Sequence, residues 1–501
     1  MRKARTILLS AGATALTAAV IAAMTTAATA APAIPTNHAK PTPPAISIKP
    51  GVHLLDAKAA QSPWTTQLCE SELAIACYTP DQIRDAYNVA PLYHHGVTGK
   101  GSTILIVDSY GSPTIASDLH TFDQTFGYPA PPSFKVIQSD GPVPAWDPTN
   151  STMVGWGVET SLDVEYAHTL APGANIVLDE VPVAETEGIT GFPQIDQAEE
   201  NVINHPAKYG ITGKVDVISQ SFGATEETFT SYAQLASVRG AYKDAARHGI
   251  TVLASSGDTG ASNYEEDGVT LYTRPVTGWP ATDPLVTAVG GTQIKESAGG
   301  LNGYTQDVWN DTYDTNLLEA FTGSTTPSPF ASSGGVSEYF TLPSYQRSVA
   351  GTIAAAIGAK KHTVLPRAVP DISMSGACDG AVDLYIAFPG TSPGWTLVCG
   401  TSEASPEFAG IVALSDQVAG HSLGLINPTL YALSAEHAPG IVDVTSGNNT
   451  VTFTQGTPPV TTTVQGYSAG RGYDLASGVG TLNAAYFVPE LAGHGYGSHK
   501  K

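Results

Sequence analysis

Ser102-Thr103-Ile104-Leu105-Ile106-Val107-Asp108 is a β-prone, almost wholly apolar run that ends on an acid. It lacks the alternation of a strand with one wet face, so it predicts a strand buried on both sides. Four runs of the same kind follow, at Asn175–Asp179, Val215–Ser219, Thr251–Ser255 and Pro284–Val289. Helical spacing fills the gaps, at 113–126, 158–170, 194–204 and 230–248. Buried strands alternating with helices predict an α/β fold: a mainly parallel central sheet flanked by helices in three layers. Residues 450–464, rich in Thr and Val, are expected as an edge hairpin. The polar stretch 298–332 receives no element, and regular structure is expected to begin near Cys77.

The composition suits a large buried core. Of 501 residues, 42% are hydrophobic and only 14% are charged, against roughly 25% charged in typical soluble domains. There are 45 acids and 23 bases, a formal charge of -22, and no basic stripe, which excludes nucleic-acid binding as a primary role. Such acidity serves solubility, or life at low pH, where few bases limit self-repulsion.

The first thirty residues read as an address. Arg2, Lys3 and Arg5 precede an apolar stretch from Ile7 to Met24, and Ala28-Thr29-Ala30 fits a cleavage site. Secretion is therefore expected, with 1–30 as signal peptide, 31–76 as a linker or short pro-segment, the main domain over 77–490 and a flexible tail over 491–501. Export permits disulfides. The pairs expected are Cys69 with Cys77 and Cys378 with Cys399, although four cysteines allow three connectivities.

Three segments carry chemistry. In Gly400-Thr401-Ser402-Glu403-Ala404-Ser405-Pro406 a Gly-rich entry leads to a serine at a helix start, where exposed N–H groups favour developing negative charge. Pro406 is read as a first-turn proline. The blander alternative is an ordinary capping serine. Glu159 and Asp163 stand four apart, on one face of the helix expected over 158–170. Paired acids there are either a solvated face or a site in which one holds a proton. Asp258, in Ser256-Gly257-Asp258-Thr259-Gly260, follows a strand end, where α/β proteins place ligands, although turn stabilisation is also common. Gly466-Tyr467-Ser468-Ala469-Gly470 imitates a hydrolase elbow but is followed by no helical pattern, so it is set aside.

Taken in order, these segments resemble the sedolisin family of serine-carboxyl peptidases, secreted acid-active relatives of the subtilases. The resemblance covers roughly residues 77–486. It includes Tyr78-Thr79-Pro80, the strand ending at Asp108, Glu159 and Asp163, Ala171-Pro172-Gly173-Ala174, Ser219-Gln220-Ser221-Phe222-Gly223 and Ser256-Gly257-Asp258. It continues through Trp279-Pro280-Ala281, Ser333-Gly334-Gly335-Val336-Ser337, Pro370-Asp371-Ile372 and Gly400-Thr401-Ser402. It implies a subtilisin-like fold, Ser402 as nucleophile, Glu159 as its base, Asp163 as the acid tuning Glu159, and Asp258 as oxyanion donor. It also implies one structural Ca²⁺, held by side chains of Asp443 and Asp474 and main-chain carbonyls of Val444, Gly470 and Gly472. Oxygen ligands of this mixture suit Ca²⁺.

The expected substrates are proteins or peptides, with endopeptidase action preferred over tripeptide release. The expected chain is monomeric, with no nucleic acid and no membrane once the signal is removed. The alternative from another class is a non-catalytic binding protein on the same fold. A histidine-based subtilase is disfavoured because no histidine lies in an H-G-T-H-like helix start. A pepsin-like pair of Asp-Thr-Gly loops is disfavoured because only Asp258-Thr259-Gly260 is present. Many family members carry a large folded pro-domain, and the space between signal and Tyr78 is short for one.

Overall fold

The computed structural model describes residues 53–54 and 60–493. The expected signal peptide, most of the expected pro-segment and residues 494–501 of the expected tail lie outside the described residues; residues 491–493, expected in the tail, instead end the helix Ala484–Gly493, with Leu491 buried. Thr103–Ser109, buried along its whole length, forms the centre of an eight-stranded sheet. From one edge the order is Tyr304–Val308, Thr287–Leu301, Thr251–Ser255, Val217–Gln220, Thr103–Ser109, Asn175–Val181 and Phe134–Ile137, with Ile372–Ser375 also paired to Thr287–Leu301. Only Tyr304–Val308 runs antiparallel; every other pairing is parallel. The parallel strands therefore present their carboxyl ends together. Asp108 and Ser375 lie at such ends, Ser221 just beyond Gln220, and Asp258 three residues beyond Ser255.

Two helices bring the remaining site residues to the sheet and pack against each other: Ser151–Leu170, the acid helix, and Thr401–Ala419, the serine helix. Both are buried around most of their circumference, as a helix enclosed in a core must be. The acid helix starts seven residues before the pattern expected at 158. Asn150 caps it, accepting from Thr152 N at 3.0 Å and Met153 N at 3.2 Å. Gly155 and Gly157 weaken the helical signal there. Gly157 is needed for packing, because a Cβ would sit 2.7 Å from the Trp146 ring and 3.0 Å from that of Phe388. Gly157→Ala should cost about 1–3 kcal/mol of stability through overpacking, read as a lower denaturant midpoint.

Other differences have local causes. The helix expected over 230–248 is two, Tyr232–Ala236 and Gly240–His248. The Asp196 carboxylate takes the N–H groups of Gly240 at 3.2 Å and Ala241 at 2.7 Å, starting the second helix afresh. His248 ends that helix, and Gly249 follows it in the left-handed conformation. The unassigned stretch 298–332 contains the strand Tyr304–Val308 and the helix Thr315–Thr322. The hairpin Val451–Gln455 with Val460–Val464 is present as expected.

Regular structure begins before Cys77, with a helix at Thr66–Glu72 whose Cys69 is bonded to Cys77. The second disulfide joins Cys378 to Cys399, so both expected pairs are present. Between those two cysteines lies a hairpin that the sequence pattern did not reveal, Ala381–Ile386 with Gly394–Cys399. His53–Leu54 pairs along its outer strand, and Trp64 N donates to Asp383 Oδ1 at 2.8 Å. Part of the segment before Cys77 is thus built into the body.

Candidate active site

Burial governs the site. Asp108, Glu159, Asp163, Asp258 and Ser402 are all buried, and among the described residues the main groups acting on Asp108, Glu159 and Asp163 include no lysine, arginine or histidine. Taking a carboxylate out of water disfavours its charge, and a second carboxylate beside it disfavours it further. Burial first, then the charges of Asp108, Asp258 and Glu185, hold Glu159 well above the ordinary carboxyl range, opposed by the Ser402 hydroxyl. Neither Glu159 oxygen makes a hydrogen bond of good geometry, so Ser402 acts on it as a weak neighbour rather than a tight partner. Apo catalytic contacts are often of this loose kind.

Asp163 is raised by burial and then by Asp108 and Glu159, and lowered by Ser221. Its Oδ1 accepts from Ser221 Oγ at 2.9 Å, while its Oδ2 is buried with no hydrogen bond. Asp108 is pushed up to about 7 by burial, with Thr160 opposing and Glu180 adding. Burial likewise raises Asp258 to about 7, against the pull of Thr401. Oδ1 of Asp258 accepts from both the N–H and the hydroxyl of Thr401, each at 2.7 Å. With Oδ1 taken as acceptor, the proton of a neutral Asp258 belongs on Oδ2.

The serine helix explains how Ser402 is presented. Gly400, at φ 135°, turns the chain out of strand Gly394–Cys399, and the helix begins at Thr401. Pro406 is thus the sixth helical residue, not a first-turn proline. Lacking an N–H, it cannot bond the carbonyl four residues back, which is that of Ser402. Ser221 Oγ lies 3.4 Å from that carbonyl oxygen.

The structure brings together all four side chains singled out in the sequence. Asp108, Ser221 and Thr401 were quoted there without a role. The signal available for Asp108 and Ser221 was their place at strand ends; for Thr401 there was none. Gly466–Gly470 is no elbow: Ser468 is exposed, and no helix follows. His168 faces Asp123 at 3.2 Å, away from the acids of the site.

Four of the five expected calcium ligands are tied together across two loops, Asp443 on one and Gly470, Gly472 and Asp474 on the other. Both oxygens of Asp443 accept from Gly472 N, at 3.1 and 3.0 Å, and Oδ2 of Asp474 accepts from Gly470 N at 3.0 Å. Neither carboxylate forms an ion pair among the described residues, where no cage of three or more His, Cys, Asp or Glu side chains occurs either. Two acids without an ion-pair partner among the described residues, one on a glycine-rich loop and one held against it, fit a hard cation completed by main-chain oxygens.

Comparison with known proteins bears on the family and the fold. The family model described as "Subtilase family" matches residues 150–457. Kumamolisin from Bacillus sp. (strain MN-32) is 33% identical over 410 residues, 81% of this chain and 62% of its own. Tripeptidyl-peptidase 1 from Rattus norvegicus is 30% identical over 65% of this chain and 50% of its own. Sedolisin from Pseudomonas sp. (strain 101) is 29% identical over 56% of this chain and 41% of its own. The chain therefore spans between 41% and 62% of the length of these relatives. A solved structure, Pseudomonas sedolisin complexed with two molecules of pseudo-iodotyrostatin, superposes with a TM-score of 0.64 at 23% identity, covering 84% of this chain and all of the other; it supports the fold. The chain belongs to the subtilase family and, within it, to the sedolisins.

Proposed function

We propose that this chain is an acid-active serine-carboxyl peptidase, with Ser402 as nucleophile, Glu159 as general base, Asp163 as its proton-holding partner and Asp258 as oxyanion donor. The observation that carries it is the Ser402 hydroxyl set against a buried carboxyl, inside a cluster of acids where, among the described residues, the main groups acting include no histidine. Ser402 Oγ attacks the peptide carbonyl carbon as its proton passes to Glu159. The oxyanion takes a hydrogen bond from neutral Asp258. The C–N bond breaks as the proton on Glu159 goes to the leaving amine, leaving an acyl-enzyme that water cleaves by the same steps.

Two adjoining carboxyls share one proton more readily than they lose both, and Asp258 helps only while neutral. Asp258 titrates at about 7, so activity should be greatest at acid pH and fall as pH rises through neutrality. Hydrolysis of a denatured protein at acid pH, with Ser402→Ala as control, tests the reading. Equal activity in the control removes it, and inert wild type favours the binding-protein alternative.

Internal cleavage is the proposed mode. Release of tripeptides, suggested by the likeness to tripeptidyl-peptidase 1, is the competing mode, and mass spectrometry of the products separates them. The proposed substrates are proteins or peptides met outside the cell, cleaved by a monomer exported through residues 1–30. Residues 31–76 are a short pro-segment or linker in this reading, and 77–490 the catalytic domain. No described helix is long and apolar enough to cross a membrane.

One Ca²⁺ would be held by Asp443, Asp474 and the carbonyls of Val444, Gly470 and Gly472, where it supplies a structural link between two loops. Chelation should lower the melting temperature, and added Ca²⁺ should restore it. An unchanged melt removes the site.

A further inference from the structure

We infer that Ser221 is a positioning residue that decides which oxygen of Asp163 carries the proton shared with Glu159. The inference rests on the serine-carboxyl reading above. A protonated carboxyl can place its hydrogen on either oxygen, and only one placement serves the neighbouring base. Ser221 Oγ donates to Oδ1 of Asp163 at 2.9 Å, so Oδ1 is occupied as an acceptor. The proton of neutral Asp163 is left to Oδ2, which has no hydrogen-bond partner in its buried surroundings. Glu159 lies one helical turn before Asp163 on the same face, and its oxygens are equally uncommitted. An Oδ2–H is therefore offered to Glu159 rather than spent elsewhere.

Ser221 is well placed to hold this arrangement. It is buried directly after strand Val217–Gln220, and its hydroxyl lies between Asp163 and the Ser402 carbonyl that Pro406 leaves without its helical donor. One side chain thus touches both the acid partner and the main chain of the nucleophile.

The charged groups bearing on Asp163 are Asp108, from strand Thr103–Ser109, and Glu159, on its own helix. The other elements packed on the acid helix direct their charges elsewhere. Arg84 donates to the Thr169 carbonyl, and Asp118, Asp123 and Asp383 bear on Glu165. The serine helix contributes Ser402 to Glu159 and Glu403 to Tyr166.

The test is the pH dependence of kcat and KM for wild type, Ser221→Ala and Ser221→Thr on one peptide. Loss of the donor should lower kcat about tenfold with KM unchanged, and move the alkaline limb upward by about one pH unit, because a hydrogen bond that favoured the ionised acid is gone. Threonine, which keeps the hydroxyl, should restore both. A purely structural serine would alter the melting temperature and leave the limb in place. If the alanine variant does not fold, Ser221→Cys, a weak donor of similar shape, should give an intermediate shift. An unshifted limb in Ser221→Ala, or in Ser221→Cys where the alanine variant does not fold, with Ser402→Ala inert, overturns the inference alone. Activity retained in Ser402→Ala removes the catalytic reading, and the inference falls with it.

Discussion

Glu159→Gln should lower kcat by about 10²–10⁴-fold, the usual range for a lost general base, while the protein still folds. Glutamine has nearly the same shape, so the close packing of the acid helix against the serine helix is preserved. It accepts no proton, so Ser402 loses the group that makes its hydroxyl nucleophilic. Burial makes the change well tolerated: Glu159 makes no hydrogen bond of good geometry to lose, and a neutral amide costs less there than a charge. Because base and nucleophile act as one unit, the double variant Glu159→Gln/Ser402→Ala should be scarcely worse than Ser402→Ala alone. Steady-state kinetics at acid pH, with near-UV circular dichroism as a check on packing, reads both outcomes. A variant with wild-type kcat would show that Ser402 is activated by something else, and Asp258 or Asp108 would be the next groups to replace. Asp258→Asn should lose less, about 10²-fold or below, since an amide can still donate to the oxyanion even though it cannot be an acid.

Five strands of the sheet were legible because they are largely buried on both faces, whereas the half-exposed Phe134–Ile137 and Tyr304–Val308 and the short Ile372–Ser375 were not. Thr103–Ser109 and Asn175–Val181 carry the continuous apolar stretches 104–107 and 176–178, and no tertiary contact is needed to recognise them. The acid pair was legible from helical spacing alone. What was not legible depended on partners distant in sequence. The hairpin Ala381–Ile386 with Gly394–Cys399 contains Asp383, Tyr385 and Thr396 among its apolar residues, and its register is held by pairing and a disulfide rather than by pattern. The early start of the acid helix depends on one asparagine cap and on glycines that a helical reading penalises. Pro406 was misplaced because Gly400 was taken as a looser entry than it is; the helix begins immediately after it. Ser221 and Thr401 gained meaning only when a strand end and a helix start met the acids they serve. Glu403 and Glu407 were passed over because charged residues four apart on a helix ordinarily face water, and here both are buried.

That burial sets the second large effect: the melting temperature should fall steeply as pH rises from about 4.5 to about 8, and a measurable part of the fall should vanish in the double variant Glu403→Gln/Glu407→Gln. Glu403 and Glu407 occupy the first two turns of the serine helix, and none of their four oxygens has a hydrogen bond of good geometry. Burial pushes Glu403 up to about 8, opposed by the Ser375 hydroxyl and by Glu407, with the Asp258 charge adding. Burial and then Glu403 raise Glu407 well above its ordinary range. Among the described residues the main groups acting on either include no cation, and the phenols of Tyr87 and Tyr166 feel their charges. The folded state therefore binds these protons more tightly than the unfolded chain, whose glutamates titrate near 4.5. Stability from the pair is complete below that value and is lost as pH rises through the folded-state range, because folding then requires proton uptake. Other buried acids, Glu165 and Glu199 among them, act in the same direction, so wild type alone does not isolate the pair. The comparison does: glutamine at both positions cannot ionise, and its melting temperature should depend less on pH while being lower or equal at acid pH. Calorimetry in the Ser402→Ala background, which prevents self-digestion, gives the two slopes. Parallel slopes would mean that the pair already reaches a counter-charge or water when folded, and the serine helix would then owe its acid preference to Glu159 and Asp163.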